Sequence, residues 1–167
     1  GRAVARRGHA LGHGRFPIEA VDGDHDAVLI RPPEHFTDPD HRILKMRRHD
    51  FEILAVEAIS RVDASASIMV DVENTLANYP ILRYGTDDQR SRYLPRLTSD
   101  TVGAYAQSEP GSGSDAFGMA SRATKKGDTW ILDGRKMWIT NGAEAGIYVV
   151  FANANRSAGY KGITAFI

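Results

Sequence analysis

The chain has 167 residues, 42% of them hydrophobic and 25% charged, a composition that suits a soluble globular protein with one core or parts of two. Its formal net charge of +0 offers no bulk attraction to nucleic acid or to an anionic membrane. The absence of cysteine excludes disulfides, thiolate metal sites and thiol nucleophiles, and no apolar run reaches the roughly 20 residues of a membrane span.

Residues 1–50 mix Arg, His, Gly and Pro without sustained helical or strand periodicity, and all six histidines fall here. His9 and His13 have a spacing that could share a helix face, but Gly8, Gly12 and Gly14 disfavour the helix, so no metal site is expected. The segment reads as a poorly ordered or misread leader. Its arginine-rich, acid-poor opening has the flavour of a transit peptide, without the serines that such peptides carry.

From Phe51 the pattern becomes helical. Ile53, Val56 and Ile59, then Ile68, Met69, Val72 and Leu76, recur at spacings of three and four, which predicts helices with one buried face. Asp63 and Ser65 are candidate caps, and Pro80 interrupts the second helix. Gly85 suits a helix end, and "TDDQ", Thr86–Gln89, is a capping box opening a short helix that should stop at Pro95. Residues 51–100 therefore read as part of a helical domain.

After Asp100 the period changes to two. "TVGAYAQS", "MASRATK", "TWILDG", "RKMWITN", "IYVVFANA" and "GITAFI" are short and rich in Val, Ile, Thr and aromatics, with turn signals at Gly127-Asp128 and Asp133-Gly134. They predict an antiparallel sheet or barrel fragment over 101–167. "SEPGSGSD", Ser108–Asp115, then leaves the first strand. Neither GxGxxG nor GxxxxGK[ST] is present, so the loop reads either as an ordinary Gly/Ser turn or as a backbone approach for an anionic cofactor. Glu109 and Asp115 are better turn stabilisers than acid and base, since carboxylates beside glycine turns accept backbone amides. By its residues alone, Trp138 is either a core tryptophan or an exposed aromatic wall.

Joined by a hairpin, "YAQSEPGSGSD" and "LDGRKMWITNG" resemble the acyl-CoA dehydrogenase family. "VDASASIMVDVENTL", "YGTDDQRSRYLP" and "AGYKGITAFI" follow that family in the same order. The resemblance runs from about Phe51 to Ile167 and is nearest to the short/branched-chain members. It implies an α+β fold, an N-terminal helical segment followed by a truncated middle β domain. It also implies FAD, with Tyr105, Gln107, Ser108, Gly113, Ser114, Trp138, Ile139 and Thr140 as its binding residues. Ser114 and Tyr160 match positions that contact the acyl-CoA.

The implied reaction turns an acyl-CoA into a trans-2-enoyl-CoA and hands electrons to an electron-transfer flavoprotein, in the bacterial cytoplasm or the mitochondrial matrix. Family members form homo-oligomers. Their catalytic base is a glutamate of a C-terminal helical domain, which these residues do not match, so no catalytic residue is assigned and the chain alone is expected to be inactive. A truncated folding or binding module and an acyl-CoA oxidase are the alternative readings.

Overall fold

The computed structural model describes residues 18–22, 27–28 and 52–167. His9, His13 and the rest of residues 1–50 apart from 18–22 and 27–28 lie outside the described residues. A first helix, α1, covers 52–60, and α2 spans Ala64–Asp71. Asp63 caps α2 by accepting from the Ser65 and Ala66 amides at 2.8 and 3.1 Å. Without a break, the chain continues as a π-helical segment over Val72–Asn78 and then as α3, Tyr79–Tyr84.

Pro80, expected to interrupt the pattern, falls at the first turn of α3. A proline has no amide to give to the carbonyl one turn back, and the wider π winding upstream lets the helical path run on without that bond. Two side chains bond back into the same stretch, Asn74 Nδ2 to the Val70 carbonyl at 2.9 Å and Thr75 Oγ1 to the Asp71 carbonyl at 2.7 Å.

Helix α4, Asp87–Leu97, opens with the predicted capping box. The Gln89 amide donates to Thr86 Oγ1 at 3.2 Å and the Thr86 amide donates to Gln89 Oε1 at 2.9 Å. It does not stop at Pro95 but runs one further half-turn, closed by the Thr98 amide on the Leu94 carbonyl at 3.0 Å. A proline in the last turn leaves the bonds beyond it intact. Gly85 ends α3 with an ordinary negative φ, and glycine is required there because a Cβ would lie 2.4 Å from the Ile81 carbonyl oxygen.

The strands are β1 (Ile18–Asp22), β2 (Ala27–Val28), β3 (Gly103–Ala106), β4 (Arg122–Lys126), β5 (Thr129–Asp133), β6 (Ile147–Asn153) and β7 (Ile163–Phe166). They form one sheet in the order β1-β5-β4-β6-β7-β2, with β3 beside β6. The β4–β5 hairpin turns at Gly127-Asp128, where Gly127 takes φ 62°, the left-handed conformation that such turns demand. The sheet is mixed where a purely antiparallel one was expected. β3 runs parallel to β6 from Gly103↔Ile147 to Ala106↔Val150, and β4 meets β6 in parallel at Arg122↔Asn153. The leader supplies both edge strands, β1 against β5 and β2 against β7.

β6 is the central strand, and its unbroken apolar run follows from burial on both faces. Ile147, Val149 and Phe151 pack with Ile81, Tyr93 and Leu97 of the helices, whereas Val150 and Ala152 pack with Ala123, Leu132 and Phe166. The predicted apolar face along α1, α2 and the π-helical segment is covered only in part, since Val72 is buried but its neighbours are not. Ile53, Ile68, Met69 and Leu76 are 64%, 54%, 45% and 38% exposed. "RKMWITN" also departs from expectation, because residues 134–140 are loop rather than strand. Trp138 and Asn141 take φ of 60° and 62°, and left-handed residues cannot continue a pleated ladder.

The capping box yields a direct test. Thr86→Ala should lower stability by about 1 kcal/mol, read as a lower midpoint in thermal or urea unfolding.

Candidate functional site

The two glycine-bearing motifs lie side by side and are stitched together. The Met137 amide donates to the Ser108 carbonyl at 2.9 Å. Lys136 Nζ donates to the Gln107 carbonyl at 3.0 Å and forms an ion pair with Glu109 Oε1 at 2.7 Å. Glu109 also accepts from the Ala120 amide at 2.6 Å and from the Ser121 amide at 3.1 Å, so this buried carboxylate ties three segments into one unit.

"SEPGSGSD" itself is a closed turn. The Glu109 and Ser112 backbones exchange hydrogen bonds of 2.9 and 3.1 Å around Pro110 and Gly111, and Ser112 Oγ donates to the Asp115 carbonyl at 2.7 Å. Gly111 and Gly113 have ordinary φ, and a Cβ on either would meet nothing within 4 Å. The fold therefore makes no steric demand for glycine at these two positions.

Burial pushes the Glu109 carboxyl upward, but hydrogen bonds from Lys136, Ser121 and Ala120, together with the Lys136 charge, outweigh it and hold the group below its ordinary 4.5. It is a fixed anion with occupied lone pairs, a structural group rather than a free base.

Beside this clasp lies a cavity of about 230 Å³ lined by Val72, Leu76, Tyr105, Gln107, Ser108, Trp138, Ile139 and Thr140. Six residues singled out from the sequence thus meet in one place. Gly113 and Ser114 do not line it; both are exposed further along the turn. Tyr160 is also elsewhere, 59% exposed in the 3-10 segment Arg156–Gly162, its ring 5.2 Å from that of Phe117. Val72 and Leu76 were missed as site residues, because a helical apolar face reads first as core. The interrupted period at Pro80 was the available signal, since π-helical segments often accompany functional sites.

Trp138 is not a core residue: it is 87% exposed and left-handed. A bulky side chain in that region costs of order 1–3 kcal/mol and persists only where neighbours impose it. Among the described residues the Ser108 and Thr140 hydroxyls have no protein partner, while the Gln107 amide oxygen accepts from the Tyr105 hydroxyl at 2.6 Å. The cavity thus offers apolar walls from Val72, Leu76, Ile139 and the indole, with two spare hydroxyls. Those are the requirements of a flat heteroaromatic ring with a polar rim.

Two outcomes follow from this geometry. Trp138→Gly should leave the fold as stable or raise its stability by up to about 1 kcal/mol in chemical denaturation, because glycine relieves the left-handed backbone and little packing is lost. Glu109 has a lowered pKa in the folded chain, so its contribution is complete above the ordinary carboxylate value and is lost as pH falls through the lower folded value. Unfolding midpoints measured from pH 7 down to pH 3 should therefore drop less steeply for Glu109→Gln than for the unaltered chain.

Residues 49–101 match the N-terminal domain of acyl-CoA dehydrogenases and residues 104–167 match their middle domain. A probable short/branched chain specific acyl-CoA dehydrogenase of Dictyostelium discoideum is 53% identical over 116 residues, covering 69% of this chain and 28% of that protein. Butyryl-CoA dehydrogenase from Megasphaera elsdenii superposes with a TM-score of 0.66 at 42% identity, over 68% of this chain and 30% of that one. A glutaryl-CoA dehydrogenase from Mycobacterium smegmatis, solved in complex with FADH2, gives 0.54 at 40% identity, over 56% and 24%. The chain spans less than a third of the length of these relatives. With both matched domains in family order and the sheet superposing on solved members, the chain belongs to the acyl-CoA dehydrogenase family.

Proposed function

We propose that this chain forms one wall of the FAD site of an enzyme that dehydrogenates short or branched acyl-CoA thioesters to trans-2-enoyl-CoA. The observation that carries the reading is the convergence of Tyr105, Gln107, Ser108, Trp138, Ile139 and Thr140 on a single cavity beside Val72 and Leu76. When bound, FAD supplies the acceptor for the hydride that leaves the substrate β carbon. The Trp138 indole would wall one side of the ring. Ser108 and Thr140 would donate to its polar edge, their hydroxyls having no competing partner among the described residues. Val72 and Leu76 keep the helical side of the cavity apolar and exclude water.

Gly113, Ser114 and Tyr160 lie outside the cavity, on the exposed side where the pyrophosphate and the CoA portion would extend. The open space above Gly111 and Gly113 suits such an approach. Among the described residues no carboxylate lines the cavity, and Glu109 is paired with Lys136, so the α proton would pass to a base other than these. An electron-transfer flavoprotein would take the electrons, with the chain part of a homo-oligomer of the bacterial cytoplasm or mitochondrial matrix. Among the described residues no helix is long and apolar enough to cross a membrane.

Titration with FAD, followed by flavin fluorescence and absorbance, tests the reading. The chain should bind FAD weakly, since each 1.4 kcal/mol of missing contact weakens binding tenfold. Trp138→Ala should weaken it further, and Ser108→Ala should shift the flavin absorbance bands with the unfolding midpoint unchanged. No electron acceptor should be reduced on addition of acyl-CoA. Turnover by this chain alone would overturn the assignment of the base and direct attention to Glu109 and Asp115.

A further inference from the structure

We propose that the Glu109–Lys136 ion pair is the positioning element of the cavity rim, holding Trp138 outward in its left-handed conformation. The indole does not hold itself there: Trp138 is 87% exposed and makes no ring contact among the described residues. Nor does regular structure hold it, because 134–137 carry no strand and Met137 has one backbone bond, to Ser108. An unpacked tryptophan at φ 60° relaxes unless the residues on either side are fixed.

On one side the fixing falls to Lys136. Its side chain is only 13% exposed, and its ammonium is divided between the Gln107 carbonyl and a Glu109 carboxylate that is itself 4% exposed. Glu109 in turn rests on the Ala120 and Ser121 amides at the entrance to β4, so the rim is referenced to the sheet through this pair. On the other side Asn141, also left-handed, donates from Nδ2 to the Gly103 carbonyl at 3.2 Å. The strained residue sits between two side-chain anchors, of which only the Lys136 end is ionic. A lysine two residues before the indole, reaching back to the Gln107 carbonyl of the cavity lining, fixes the spacing of the two motifs as well as the pose of the ring.

Neither partner lines the cavity; the pair meets the lining only through the Gln107 carbonyl, so its role is positioning and its test needs a readout independent of flavin. The two tryptophans of the sequence are Trp130 and Trp138. In a Trp130→Phe background, Trp138 is the sole indole, and its time-resolved fluorescence anisotropy reports its local freedom. Lys136→Met should enlarge the fast depolarising component and lower the residual anisotropy relative to the background chain, with far-ultraviolet circular dichroism unchanged. Lys136→Arg should return the residual anisotropy to the background level. Should Lys136→Met fail to fold, Glu109→Gln, which keeps the shape of the side chain and removes its charge, should give the same fast component.

A second arm rests on the flavin-site reading: FAD affinity should fall about tenfold in Lys136→Met and recover in Lys136→Arg. Unchanged anisotropy in both Lys136→Met and Glu109→Gln overturns the positioning role, whatever FAD does. A mobilised indole in a chain with no FAD affinity supports the positioning role and sinks the flavin reading instead.

Discussion

A single ammonium group organises the functional end of this chain. Lys136 lies in a loop that has no ladder bonds of its own, and it reaches into a pocket where a carboxylate and a carbonyl wait. A buried ion pair of this kind is not a large net source of stability, because desolvation of both charges offsets most of their attraction. What it supplies is register. Removing either partner strands the other charge in a buried place, so the two motifs can hardly slide past one another without a cost of several kcal/mol. The cavity between the helices and the sheet has fixed walls for that reason.

The π-helical segment plays the matching part on the opposite wall. Glu73 Oε2 accepts from the Gly103 amide at 2.8 Å, and a Cβ at Gly103 would come within 2.6 Å of the Ala77 Cβ. This close approach of helix and strand start carries Val72 and Leu76 over the end of β3. Helix, strand and loop thus each contribute one side of a small cavity, and each is held by a polar contact outside it.

Much of this was legible in the residues. The Asp63 cap, the Thr86 capping box, the Gly127 hairpin and the apolar run of β6 are local signals, and each produced its element because no tertiary force opposed it. The resemblance of the two motifs pointed to residues that do converge on one cavity, although Gly113, Ser114 and Tyr160 stand apart from it. The failures were non-local. "RKMWITN" alternates like a strand, but the Lys136 clasp and two left-handed residues pull it out of the sheet. A parallel partner for β3 leaves no mark on either strand's pattern. The apolar helical face of Ile68, Met69, Val72 and Leu76 gives the same period whether it meets a core, a cavity or solvent.

The parallel pairing of β3 with β6 also orders events in time. During synthesis β3 and the turn after it emerge first, then the β4–β5 hairpin, which can close on its own, and only later the strand that β3 must join. Closing so long a loop costs chain entropy before any contact repays it, so β3 waits as an unpaired edge while the hairpin is already formed. The Ser108 side of the cavity therefore cannot take its final shape until β6 is in place, about 40 residues of chain after β3.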